Sequence, residues 1–182
     1  AALLMALAAL VGPSDEVLLP DPCYPCSLNL VLLAGATARR MPVFTTTGHQ
    51  PSAADVDAHV SARTRALLLA SPSNPSGALI SVEAMRALIA SARGHGLVTL
   101  IDEIYGGLVF DESPRTVLSL SNEVVVVSGF SKYFCMPGWR LGWIVAPEGL
   151  LQEIEKLAQN AYVSPPAVAQ FAALAAFQDR KS

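Results

Sequence analysis

The sequence predicts an α/β fold: a mostly parallel sheet with helices on both faces. Apolar runs of strand length alternate with helical segments along almost the whole chain. The strand runs, of which Val124 to Val127 is the clearest, do not alternate polar with apolar residues. Such continuous runs are typical of strands that are buried on both faces, as in a parallel sheet covered by helices.

The predicted elements follow one another without an internal repeat or a low-complexity linker. Strands are predicted over residues 16–19, 40–44, 66–70, 98–101, 124–127 and 141–145. Helices are predicted over residues 1–11, 26–34, 52–62, 81–94 and 149–161, with another after the break at 164–166. Ser52 and Ser81 are predicted N-caps, and Gly94 and Gly96 are predicted to close the long helix.

Composition and charge narrow the functional class. The net charge of -3 is spread without a block, so neither a nucleic-acid partner nor a membrane partner is expected. Hydrophobic residues make up 52% of the chain, which fits a buried sheet plus surfaces that meet other segments or a second subunit. The apolar start, residues 1–11, follows no basic segment and is too short to span a bilayer. We therefore expect a buried helix there, and a cytoplasmic protein.

Two cysteines raise the alternative that the protein has a thiol redox function. Cys23 and Cys26 have the two-residue spacing of thiol redox motifs. A redox motif opens the helix after the first strand of a small domain, whereas this pair follows a proline-rich turn at 19–22. No second pair of Cys or His lies at ligand spacing, so no metal site is expected.

The segment around Lys132 carries the strongest chemical signal. Lys132 is one of three lysines, it ends the sequence Ser-Gly-Phe-Ser-Lys, and Arg140 follows eight residues later between Gly138 and Gly142. A lysine that forms an imine with an aldehyde needs close backbone approach, which glycine and serine allow. It must also react unprotonated, and we expect desolvation after a buried strand to favour that form. Arg140 would offer a flat fork of donors to a phosphate. The alternative is that Lys132 is an ordinary surface lysine without a chemical role.

Three polar residues lie at the ends of predicted strands. Asn74, Asp102 and Lys132 each follow or end a strand run, and ligands of such sheets bind at the carboxyl ends of the strands. Arg140 reaches the same edge only if the chain reverses between residues 133 and 138. The structural alternatives are a helix cap for Asp102, a turn for Asn74 and a core position for Tyr105.

Together these motifs resemble the class I/II aminotransferase family of pyridoxal-phosphate (PLP) enzymes. In the family's order, the chain carries the motifs at 21–25, 73–77 and 102–105, then the lysine motif and Gly-x-Arg-x-Gly. The resemblance covers nearly the whole chain. It implies a PLP cofactor bound by a Schiff base to Lys132, which also moves the proton between the substrate Cα and the cofactor.

The resemblance also implies a role for each remaining candidate. Asp102 would keep the pyridine nitrogen charged, and Tyr105 and Asn74 would bind the phenolic oxygen. Tyr24 would stack on the ring. The phosphate contacts would come from Ser128, Ser131 and Arg140.

The implied activity is transfer of an amino group between an L-amino acid and a 2-oxo acid, by a homodimer. Two alternatives stay open: a PLP-dependent lyase on the same scaffold, and the sensor domain of a transcription regulator. Residues 1–163 would form an N-terminally truncated PLP-binding large domain, and 164–182 the start of a connection to a small domain. Because the arm, the phosphate loop and the small domain of family members lie outside this sequence, we expect the chain alone to be inactive.

Overall fold

The computed structural model describes residues 1–110 and 115–179, which form one six-stranded sheet with the order β2-β1-β3-β4-β5-β6. The strands are β1 (Glu16–Asp21), β2 (Thr37–Pro42), β3 (Thr64–Ala70), β4 (Val98–Asp102), β5 (Val125–Gly129) and β6 (Gly142–Val145). The helices are α1 (Ala2–Leu10), α2 (Pro25–Leu33), α3 (Ala53–His59), α4 (Val82–Gly94), α5 (Glu148–Ala161) and α6 (Ala167–Gln178).

The predicted mostly parallel sheet is confirmed. Strands β1 to β5 pair in parallel with their neighbours, and β6 runs antiparallel to β5 at one edge. The difference follows from the connections, because parallel neighbours need a crossover whereas a short reversal produces an antiparallel pair. The segment between β5 and β6 is such a reversal, and it contains Lys132 and Arg140.

Helices cover both faces of the sheet, as predicted. On β3, Leu67 and Leu69 pack in the core shared with α3 and α4. Leu68, between them, belongs to a second core that includes Leu7 of α1 and Val31 of α2. Successive strand residues point to opposite faces, so an unbroken apolar run supplies both cores. Each fully buried leucine contributes roughly 1.5–3 kcal/mol.

The helix ends carry the predicted caps. The Ser52 hydroxyl accepts from the Asp55 amide at 3.3 Å, and the Ser81 hydroxyl accepts from the Ala84 amide at 3.2 Å. Gly96 has φ +71°, the left-handed conformation that ends α4. Helix α1 is only partly the buried helix that was expected, because Ala6 and Leu7 are its only fully buried residues.

Two element boundaries differ from the prediction by three residues, more than any other. Strand β2 begins at Thr37, not at residue 40, because its polar first half pairs with β1 at the sheet edge and carries no apolar signal. Helix α3 ends at His59, not at residue 62, because Ser61 turns the chain back and donates to Glu16 at 2.7 Å. In the parts of the chain described here, no helix is long and apolar enough to cross a membrane.

Candidate functional site

A cavity of about 320 Å³ opens at the carboxyl ends of β1, β3 and β4. Its wall includes the last residues of these strands and the loops that follow them. Seven of the eight predicted site residues line it: Tyr24, Asn74, Asp102, Tyr105, Ser131, Lys132 and Arg140. The expected convergence at one edge of the sheet is therefore present.

Tyr105 lies at the centre of the polar contacts. The Asn74 side-chain amide donates to the Tyr105 hydroxyl at 3.4 Å. The Nζ atom of Lys132 lies 5.5 Å from the centroid of the Tyr105 ring, within the range of about 6 Å for cation–π contact. Lys132 is exposed at the rim of the cavity, so the expectation that burial would desolvate it was wrong.

Asp102 ends β4 and presents a largely buried carboxylate. Its Oδ1 atom accepts from the Ile104 amide at 3.0 Å, a local turn contact and not a helix cap. Burial raises the pKa of Asp102, and the negative charge of Glu103 adds to the rise, while the Ile104 hydrogen bond opposes it. Within residues 1–110 and 115–179, no cation forms an ion pair with Asp102. A cationic ligand group would therefore relieve an uncompensated charge.

Glu103 faces away from this cavity. Its Oε1 atom accepts from the Val117 amide at 2.6 Å, and burial raises the pKa of its carboxyl group. It lines a separate cavity of about 670 Å³. The smaller cavity is the better candidate site, because it gathers the amine, the unpaired carboxylate and the guanidinium.

Arg140 reaches the cavity through the reversal that was expected between residues 133 and 138. A short helical turn, Pro137–Trp139, precedes it, and its guanidinium donates to the Pro137 carbonyl at 2.9 Å. Its backbone is left-handed, with φ +52° and ψ +41°. A side chain in this conformation costs roughly 1–2 kcal/mol, and such strain is concentrated at functional positions.

Of the two serines assigned to the phosphate, one lies at the cavity and the other does not. Ser131 is part of the cavity wall. Ser128 is not, and its hydroxyl donates to the Glu103 carbonyl at 3.3 Å, which ties β5 to the end of β4. Cys23 and Ser73 also line the cavity, although they were not among the candidates. The sequence could have indicated both residues, because Cys23 directly precedes Tyr24 and Ser73 directly precedes Asn74.

The cysteines do not favour the redox interpretation. All three are free. Burial, followed by the charge of Asp21, raises the pKa of Cys23, whereas a reactive redox thiol needs a lowered pKa. No group of three or more metal-ligating side chains occurs in the parts of the chain that the structure covers.

Comparison with known proteins decides the family. The sequence model of the family described as aminotransferase class I and II matches residues 1–182. The chain belongs to the aminotransferase class I and II family. The predicted resemblance is confirmed, and enzymes of this family use PLP.

Several relatives resemble this aminotransferase-family chain. YugH of Bacillus subtilis (strain 168) is 41% identical over 95% of this chain and 46% of its own length. The valine–pyruvate aminotransferase of Mycobacterium tuberculosis is 35% identical over 96% of this chain and 45% of its own length. The aromatic aminotransferase structure from Pyrococcus horikoshii OT3 has a TM-score of 0.92 and 30% identity, covering 98% of this chain and 48% of that one. The chain thus spans about half the length of the relatives it matches.

Proposed function

We propose that this chain forms the cofactor-binding part of a PLP-dependent aminotransferase. The reaction is exchange of an amino group between an L-amino acid and a 2-oxo acid. The observation that carries the proposal is the meeting of Lys132, Asp102 and Arg140 around one cavity, in a chain of the aminotransferase class I and II family.

The residues present fit the cofactor. The cavity volume of about 320 Å³ lies within the roughly 300–1,000 Å³ of small-molecule sites. Asp102 is a mostly buried carboxylate with no cation beside it in the described part of the chain, and a protonated pyridine nitrogen would supply that cation. Among the described residues, the Arg140 guanidinium makes one hydrogen bond, to the Pro137 carbonyl. Most of its N–H donors are therefore left for a phosphate.

Each side chain then has a distinct task. When bound, PLP withdraws electron density from the substrate Cα, which is the difficult step of the chemistry. Lys132 would hold the cofactor through Nζ, and its amine would carry the proton to and from the substrate Cα. Asp102 would pair its negative charge with the ring nitrogen, and the Tyr105 hydroxyl, with Asn74 beside it, would donate to the phenolic oxygen.

The remaining residues position the cofactor. Ser131 and Arg140 would hold its phosphate, and the Arg140 guanidinium offers a fork of donors that suits phosphate oxygens. Tyr24, which is about half exposed, stacks on the ring and sets its orientation. Ser128 has no direct part, because its hydroxyl is directed at Glu103.

The partners are proposed as classes of molecule. Relatives with similar identity are named for different substrates, including valine–pyruvate and aspartate. We therefore propose an L-amino acid and a 2-oxo acid without choosing the side chain. A second copy of the protein is the proposed protein partner, supported by the exposed apolar residues Val168, Phe171 and Leu174 on α6. The domain division after residue 163 and the cytoplasmic location stay predictions.

Borohydride trapping tests the central proposal. The purified chain is incubated with PLP, reduced with borohydride and mapped by peptide mass spectrometry. We expect a reduced adduct on the peptide that contains Lys132, and none with Lys132→Ala. Lys156→Ala is the matched control, because Lys156 lies on α5 and pairs with Glu153. An adduct on another lysine alone, or no adduct, would contradict the proposal.

The reaction itself is tested on the complete protein. An L-amino acid and 2-oxoglutarate are supplied, and the products are measured. Glutamate formation supports the aminotransferase, whereas release of ammonia and pyruvate without glutamate points to the lyase.

A further inference from the structure

Four aromatic rings form a cluster that spans Lys132. We call Phe130, Phe134, Trp143 and Phe177 the aromatic clamp. Phe177 lies at the end of α6. Its ring centroid is 4.9 Å from that of Phe130 and 5.3 Å from that of Phe134, with interplanar angles of 67° and 82°. These edge-to-face arrangements are the ones that aromatic pairs prefer. Phe130 and Phe134 stand two residues before and two residues after Lys132, so Phe177 contacts both sides of the lysine segment.

The packing continues from the clamp to the turn that carries Tyr105. The centroid of the Tyr133 ring lies 5.0 Å from the centroid of the Phe134 ring. It also packs on Gly107, where an added Cβ would come within 2.5 Å of the Tyr133 ring. Gly107 follows Tyr105 by two residues, so one continuous set of contacts joins α6, the lysine segment and the Tyr105 turn.

Lys132 depends on its neighbours for its position. Its side chain is exposed, and among residues 1–110 and 115–179 its Nζ atom forms no hydrogen bond or ion pair and lies over the Tyr105 ring. The placement of Nζ over the cavity must therefore come from the backbone of residues 130–134. Phe130 is 4% exposed, and Phe177 covers it from α6.

We propose that Phe177 is a positioning residue that holds Lys132 in place through the rings of Phe130 and Phe134. The inference rests on the proposed function, in which Lys132 binds the cofactor. Attack on an aldehyde requires Nζ to be held within reach, and a small displacement slows the reaction strongly. Helix α6, which begins after Pro165 and Pro166, thereby takes part in the site without touching the cavity.

Three variants separate the ring contact from general packing. Phe177→Leu keeps an apolar side chain but removes the ring, whereas Phe177→Tyr keeps the ring. Phe44→Leu is the matched control, since Phe44 has the same exposed fraction as Phe177, 61%, and has no ring contact among the described residues. The rate of PLP attachment to Lys132 is measured by borohydride quenching at successive times and peptide mapping. Near-ultraviolet circular dichroism of the cofactor-free protein reports on the packing of its aromatic side chains, Trp143 among them, and thermal melting reports on the fold.

We expect Phe177→Leu to slow attachment at Lys132 by roughly twofold to tenfold, the range that one aromatic pair represents. The near-ultraviolet signal should fall, while melting stays cooperative. Phe177→Tyr and Phe44→Leu should match the wild type. The inference is overturned by an unchanged rate in Phe177→Leu, by equal slowing in Phe44→Leu, or by loss of cooperative melting, which would assign a structural role. Failure of the wild type to attach PLP at Lys132 would refute the proposed function instead.

Discussion

Gly129 and Gly142 lie opposite each other where β5 meets β6, and neither position has space for a side chain. A Cβ on Gly142 would lie 2.7 Å from the Ser128 carbonyl oxygen, and one on Gly129 would lie 2.9 Å from the Leu141 carbonyl oxygen. This close approach closes the reversal between Lys132 and Arg140. The two glycines therefore fix the distance between the proposed imine-forming amine and the proposed phosphate ligand.

Gly142→Ala should loosen this junction. The methyl group would push against backbone, which cannot move aside as a flexible side chain can. We expect the free energy of unfolding in urea to fall by about 1–3 kcal/mol. Gly149→Ala on α5 is the control, because nothing lies within 4 Å of the added Cβ. Equal stability of the two variants would show that the close approach is not enforced.

Asp102→Asn should stabilise the cofactor-free chain at pH 7. Burial raises the pKa of Asp102, so the folded state disfavours the charged form and the wild type loses stability as pH rises through the folded pKa. We expect a gain on the order of 1 kcal/mol in urea unfolding, which shrinks as pH falls toward the ordinary value of 3.8. Glu153→Gln, at an exposed ion pair, should change stability little. A loss of stability in Asp102→Asn would mean that the carboxylate already has a partner.

Tyr105→Phe should weaken PLP binding without unfolding the chain. The variant loses the hydroxyl that Asn74 contacts at 3.4 Å, but keeps the ring beneath Lys132. Since one long hydrogen bond is lost, the stability change should stay below about 1 kcal/mol. PLP affinity, measured by absorbance titration, should fall several-fold. Tyr162→Phe, at the end of α5, should leave both quantities unchanged.

Glu16→Gln should destabilise the chain in a pH-dependent manner. The buried Glu16 carboxylate accepts from Ser61 at 2.7 Å and pairs with Arg63 and Arg39. The Ser61 hydrogen bond, with the two arginines, lowers its pKa, so its stabilisation is present above the ordinary value of 4.5 and is lost as pH falls through the folded pKa. We expect a loss on the order of 1–2 kcal/mol at pH 7 in urea unfolding. A loss that persists unchanged at pH 3 would rule out the charge as its source.

The sequence predicted where the site lies because apolar runs mark the ends of parallel strands. Asn74, Asp102 and Lys132 could be brought together on that basis alone. The direction of Ser128 could not, because alternate strand residues face opposite sides and a one-residue shift reverses the side chain. The exposure of Lys132 and the left-handed backbone of Arg140 depend on how the reversal packs, which no local pattern records.

The cavity wall draws on chain segments that are scattered from Leu19 to Arg140. None of these segments can assemble the wall by itself, so the site exists only when the sheet is complete. Loading with the cofactor is thereby coupled to global folding rather than to the order of one loop, and a bound ligand stabilises the entire folded state by mass action. Added PLP should accordingly shift the melting of the whole chain as a single transition, and protect even its distant helices from proteolysis.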